Sequence, residues 1–106
     1  MPEFYMLAGT LSTDESFSLL QTLLSDGGFE LERIDDEILI KGQSNLTIRT
    51  GFDHEFIVVG DSTTNAALQH DSEMLSALLK QHQIEHEFEF YDMANEQYEC
   101  IDYKPV

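Results

Sequence analysis

Positive charge is scarce in this chain: five Lys and Arg stand against twenty-one Asp and Glu, a formal net charge of −16. Such a field repels phosphate backbones and anionic membrane surfaces and attracts cations and basic proteins, so direct nucleic-acid binding and membrane association are not expected. Cysteine is represented by Cys100 alone, which leaves no disulfide framework and no thiolate pair for zinc. No apolar run approaches the ~18 residues that a membrane helix needs. With two prolines and six glycines, the chain is not a low-complexity or linker-like polymer. The opening MPEFYMLAGTLS lacks a basic region and its apolar run is broken by Gly9 and Thr10, so no signal peptide is expected and the protein reads as cytoplasmic. Without an export signal, the sequon Asn45-Leu46-Thr47 reads as chance.

What is present suffices for one core. Hydrophobic residues make up 42% of the 106 residues and aromatics 10%, and a chain of this length buries roughly 65% of its unfolded surface. We expect one domain over 1–106.

Strand and helix periods organise the chain. Glu3 to Thr10 reads as a strand with Phe4, Met6 and Ala8 on one face and Tyr5, Leu7 and Leu11 towards the other, a doubly apolar pattern that predicts a central strand buried on both sides. Ser12 and Glu15 have capping-box spacing before a helix whose stripe is Phe17, Leu20, Leu23 and Leu24, stopped by Gly27-Gly28. Phe29 to Ile34 alternates with Glu30 and Glu32 outward, and turns at Asp35-Asp36 and Gly42–Asn45 lead into strands at Glu37–Lys41 and Leu46–Thr50. Phe56–Val59 is doubly apolar again. DSTTNAALQHD reads as part loop and part helix, and an amphipathic helix is predicted from Asp71 to about His82 through Met74, Leu75, Leu78 and Leu79. Strands at Ile84–Tyr91 and Tyr98–Tyr103 end the chain.

The order predicts an α+β fold, a mostly antiparallel sheet with two helices, in which the halves repeat as β-α-β-β units at an offset near 55 residues. A ferredoxin-like split β-α-β plait with extra hairpin strands accommodates it. In element order the chain also resembles the paired β-α-β-β-β modules of the vicinal-oxygen-chelate superfamily, which includes glyoxalases and antibiotic-sequestering proteins. That resemblance implies metal ligands on the first and last strands of each module, and only His54 falls at a comparable place. No metal or other cofactor is expected.

The densest cluster of ionisable groups is QHQIEHEFEFYD, Gln81 to Asp92. From Ile84 it alternates strictly, so Glu85, Glu87 and Glu89 share a face opposite to His86, Phe88 and Phe90. Carboxylates two apart on a strand are roughly 6.5–7 Å apart at ~3.3 Å per residue, too far for one ~2 Å zinc sphere. His82 and His86 are separated by a helix end. Cys100 alternates with Ile101 and reads as a small buried hydrophobe. Gly9-Thr10-Leu11-Ser12 and Gly60-Asp61-Ser62-Thr63 lack the P-loop lysine and spacing. Catalysis is therefore not the favoured reading.

The favoured reading is a strongly acidic, non-catalytic protein that engages a basic protein surface through Glu30, Glu32, Glu85, Glu87 and Glu89. As a class it resembles immunity proteins, antitoxins and phage inhibitors that occupy nucleic-acid-binding sites. Against this stands the bland alternative that charged strands merely resist edge-to-edge aggregation. A second functional reading is a small-molecule site or enzyme, with an apolar pocket between the halves and His54 and His86 at its mouth. A homodimer through Tyr98, Ile101 and Tyr103 of the closing strand is also expected.

Overall fold

The computed structural model describes residues 4–105, so the Glu3 start expected for the first strand lies outside the described residues. The chain runs β1 (Tyr5–Ser12), α1 (Phe17–Asp26), β2 (Glu30–Ile34), β3 (Glu37–Lys41), β4 (Asn45–Thr50), β5 (Glu55–Ser62), α2 (Asn65–Gln81), β6 (Glu85–Tyr91) and β7 (Gln97–Tyr103). It is an α+β fold, and the seven strands form one antiparallel sheet ordered β2-β3-β4-β5-β1-β6-β7.

α1 begins at Phe17, the first residue of its predicted stripe, but with a different cap, and α2 begins earlier than predicted. Ser12 ends β1, and the N-cap of α1 is Ser16, whose hydroxyl accepts the Leu19 N–H at 3.2 Å. The Ser12–Glu15 capping box does not form, because the strand uses Ser12 and Glu15 N–H instead bonds Thr13 Oγ1 at 3.2 Å. The C-terminal stop does form: Gly27 caps, and Gly28 follows at φ 98, a conformation that glycine adopts without penalty. α2 starts six positions before Asp71, capped by Thr64, whose hydroxyl accepts Ala67 N–H at 3.3 Å. Its stripe is Leu68, Leu75 and Leu79 with Ser72 and Ser76 between them. Those serines and the run Gln69-His70-Asp71 interrupt the apolar pattern, which hides the first two turns.

The core lies on one face of the sheet only. Leu7, Leu11, Ile38, Ile40, Leu46, Ile48, Phe56, Val58, Phe88 and Phe90 point to the helices and pack with Leu20, Leu24, Leu68, Leu75, Leu78 and Leu79. Phe17 stacks on Phe56 with centroids 5.6 Å apart, and the Arg33 guanidinium sits 4.5 Å over the Phe17 ring while bonding Gln21 at 3.0 Å. Gly9 is obligatory for close approach: a Cβ there would strike the Glu87 carbonyl oxygen and stand 2.8 Å from the Phe88 ring.

The two-sided burial expected of β1 and Phe56–Val59 is half right. Both strands are central, β1 between β5 and β6 and β5 between β4 and β1. Yet Met6 and Ile57 remain 44% and 38% exposed, and Ala8 is exposed beside them, because no layer of the described chain covers their side of the sheet.

Candidate functional site: the open face of the sheet

Strand parity and register build this surface. On the uncovered side, Ala8 stands between Val59 of β5 and Glu89 of β6, Thr10 between Ile57 and Glu87, and Ser12 between Glu55 and Glu85. Small side chains along β1 thus form a floor, and longer ones on both neighbours form walls. The result is a groove of about 400 Å³ bounded by Ala8, Thr10, Glu55, Ile57, Val59, Glu87 and Glu89. It continues into a depression of about 310 Å³ at the Ser12 end, where Glu55, Glu85, Asp102 and Lys104 meet. The walls differ in kind: Ile57 and Val59 are apolar, while β6 presents Glu85, Glu87 and Glu89.

The acidic wall is reinforced from β7. Asp102 is directly opposite Glu87, and Cys100 opposite Glu89. Like charges so placed repel. A side-chain hydrogen bond shared with Glu89 holds the Glu87 carboxyl above the usual range, with slight desolvation and the charges of Glu89 and Asp102 adding to the effect. The Tyr91 hydroxyl donates to Glu89 Oε2 at 2.7 Å, a bond to the neutral phenol that raises the Tyr91 pKa. Cys100 is exposed, which corrects the expectation of a buried hydrophobe. Partial desolvation of its sulfur, followed by the carboxylates of Glu87, Asp102 and Glu89, pushes its thiol pKa up.

Glu30 and Glu32 share the open face but stand on the edge strand β2, with four strands between it and β6. Between the rows lie Lys41, directly opposite Glu30, and Arg49, whose Nε is 3.0 Å from Glu37 Oε1. The two rows anticipated from sequence therefore flank one surface without touching. Glu55 and Asp102 complete the groove, and sequence inspection missed them because only the β1–β5 and β6–β7 registers bring them to it.

The histidines do not converge. His54 lies in the β4–β5 turn with its side chain 74% exposed, Nδ1 being 3.2 Å from Asp14 Oδ1 at the surface. His86 is on the helix side with its side chain buried, and it contributes to the lining of the depression of about 310 Å³ at the Ser12 end of the groove. Its Nδ1 is 2.9 Å from the Ile84 carbonyl, which can only accept, so Nδ1 carries the proton and Nε2 accepts the Ser76 hydroxyl at 2.7 Å. Burial lowers its pKa, outweighing the Ile84 bond that raises it; Lys80 lowers it further and Asp102 opposes. The ring lies between Phe88 and Tyr103, at centroid distances of 5.0 and 5.6 Å. A serine beside an oriented histidine is the beginning of a nucleophilic dyad, but Ser76 is 3% and His86 2% exposed, so no substrate reaches either.

Another buried polar contact was not foreseen. Asp71 of α2, 6% exposed, accepts both the Ser44 N–H and the Ser44 hydroxyl at 2.6 Å. A Cβ on Gly42 would come within 2.7 Å of the same carboxylate. This clasp fastens the β3–β4 turn to the helix layer. Among the described residues, no group of three or more His, Cys, Asp or Glu is arranged to hold a metal ion, and no helix is long and apolar enough to cross a membrane. No protein-family model, no curated protein and no solved structure matches this chain.

Proposed function

We propose that this chain is a non-catalytic binding protein that engages a basic protein surface through the open face of its sheet. The observation that carries the reading is the row Glu85, Glu87 and Glu89, which stands on the side of the sheet opposite the filled core, reinforced by Glu55 and Asp102. A solvated anti-aggregation face needs charge on edge strands, whereas this row is on β6, inside the edge strand β7. We read the topology as a split β-α-β plait, with β5-α2-β6 crossing over β1 and the β2–β5 meander widening the sheet, and the protein as cytoplasmic.

Two other readings have less support. The small-molecule pocket between halves has a counterpart in a cavity of about 340 Å³ between the β2–β3 strands and α2, lined by Phe29, Ile40, His70, Asp71 and Met74, but neither His54 nor His86 lines it. Self-association through β7 would call on residues already engaged within the chain: Tyr98 bonds Asn65 and packs edge-on against Tyr5, and Tyr103 stacks on His86.

The test is the triple variant Glu85→Gln/Glu87→Gln/Glu89→Gln. Relief of like-charge repulsion should leave it folded and more stable by a few tenths of a kcal/mol. Captured from host lysate at low salt, the partner should associate more slowly with the variant, since exposed charges act mainly on encounter. The wild-type rate should fall towards the variant's as salt reaches ~0.5 M and screening shortens below ~10 Å. Equal association rates at low salt would remove this proposal.

A further inference from the structure

Resting on that reading, we propose that the occupant of the open face is an amphipathic basic α-helix of the partner, lying along β1 with its apolar stripe on Ile57 and Val59 and its Lys or Arg stripe on Glu85, Glu87 and Glu89. The first argument is asymmetry. A purely electrostatic surface would present carboxylates along both sides of the groove, but here the middle of the β5 wall is Ile57 and Val59, with Glu55 and Asp61 only at its ends, while β6 opposes them with Glu85, Glu87 and Glu89. Met6 and Ile57 are 44% and 38% exposed on central strands, where an apolar pattern on both faces ordinarily signals cover on both. A ligand with adjacent apolar and cationic stripes satisfies both walls together.

The second argument concerns the backbone of the occupant. An extended segment pairs with a sheet at its edge, where unpaired N–H and C=O groups are offered. Laid on the face above β1, whose backbone is already bonded to β5 and β6, it would find no partner for its own amides. A helix satisfies them internally. The spacings also agree: alternate glutamates on β6 are ~6.6 Å apart at ~3.3 Å per residue, and helix positions four apart rise ~6 Å. Cations at i, i+4 and i+8 therefore follow Glu85, Glu87 and Glu89 in register. Strands β5 and β6 stand two spacings apart, ~9.5 Å, wide enough to admit one face of a helix ~10–12 Å across.

A second copy of this chain does not have the complementary chemistry. α1 carries no Lys or Arg, α2 carries only Lys80, and each copy brings a net charge of −16. The partner is a different protein with an exposed, positively charged amphipathic helix.

The experiment uses the full chain and two synthetic peptides of identical composition. One places Lys at i, i+4 and i+8 beside a Leu stripe; the other permutes the same residues so that no stripe forms. Both are titrated by fluorescence anisotropy, and amide shifts are mapped with 15N-labelled protein. The expected result is at least tenfold tighter binding of the striped peptide, with shifts at residues 8–12, 57–59 and 85–89. Ile57→Glu should abolish the preference between peptides, and the triple Gln variant should weaken both. Equal affinity of the two peptides, with both weakened by the triple variant, would overturn the helix inference and leave the acidic-surface reading standing. Shifts elsewhere on the protein, or no binding by either peptide, would overturn both. Concentration-dependent dimerisation of the unliganded chain, abolished by Ile57→Glu, would assign the face to a second copy and also overturn the inference.

Discussion

Replacing Asp71 by Ala should destabilise the protein by about 3 kcal/mol, although Asp71 lies outside the proposed binding face. Its carboxylate receives two hydrogen bonds at 2.6 Å from Ser44, one from the amide and one from the hydroxyl. Hydrogen bonds to a charged group contribute about 1.5–3 kcal/mol each, and a buried donor left without a partner bears the full desolvation penalty. Ser44 is only 9% exposed, so water recovers part of the loss at most, and the lower end of the range applies to each bond. For a domain of this size, about 3 kcal/mol corresponds to a fall in Tm of roughly 15 °C. Asp71→Asn retains an acceptor oxygen without the charge and should lose about half as much. Urea denaturation followed by circular dichroism gives both values, and hydrogen exchange gives the local signature: the Ser44 amide should lose its protection in Asp71→Ala while the β1 and β5 amides exchange in proportion to global stability. A loss below about 0.5 kcal/mol, the ordinary range for a surface substitution, would refute the clasp. So would a Ser44 amide already unprotected in the wild type.

Three further outcomes follow from other contacts. Gly9→Ala drives a Cβ against the Glu87 carbonyl and the Phe88 ring, so β1 and β6 must separate at a cost of about 2 kcal/mol or more, as overpacking of a filled site does; an unchanged urea midpoint would contradict the close approach. His86 is held neutral with its pKa lowered from 6.5 by burial. The unfolded chain therefore takes up the proton first, and stability present above pH ~6.5 is lost as pH falls through that value towards the lowered folded pKa. His86→Phe should flatten that part of the Tm–pH curve, and identical slopes for both proteins between pH 7.5 and 5.5 would show that the ring is not buried neutral. Cys100 should alkylate slowly at neutral pH, because its raised pKa keeps the thiolate scarce; Glu87→Gln/Glu89→Gln should accelerate iodoacetamide labelling, and an unchanged rate would exclude those carboxylates as a cause.

Where the sequence period was uninterrupted, elements and their facing were legible. Strict alternation from Ile84 places Glu85, Glu87 and Glu89 on the side opposite His86, Phe88 and Phe90, as observed. Asp35-Asp36 marks the first hairpin, with Asp35 at φ 53. The start of α2 was not legible, because its buried stripe uses Ser72 and Ser76, which sequence patterning counts as polar. Nor was the capping of α1, where three hydroxyl residues, Ser12, Thr13 and Ser16, compete and only strand pairing decides among them. The groove itself is a property of register: Glu55 and Glu85 are 30 positions apart in the chain yet flank the same Ser12. Doubly apolar strands announced cover on both faces, and the chain supplies it on one.

The position of β1 has a consequence for how the protein comes into being. β1 precedes both of its neighbours in the chain and joins the two parts of the sheet, pairing residue by residue with 55–62 and with 85–91. Leu11 meets His86 across 75 positions of chain. On a ribosome the β2–β5 meander can close locally, but β1 acquires its second neighbour only when β6 has emerged, so the sheet stays divided until that point. Such distant pairings make folding slow relative to chains rich in local contacts. Until then the backbone of β1 from Met6 to Ser12 is an unfinished edge, and the pairing of β6 closes it.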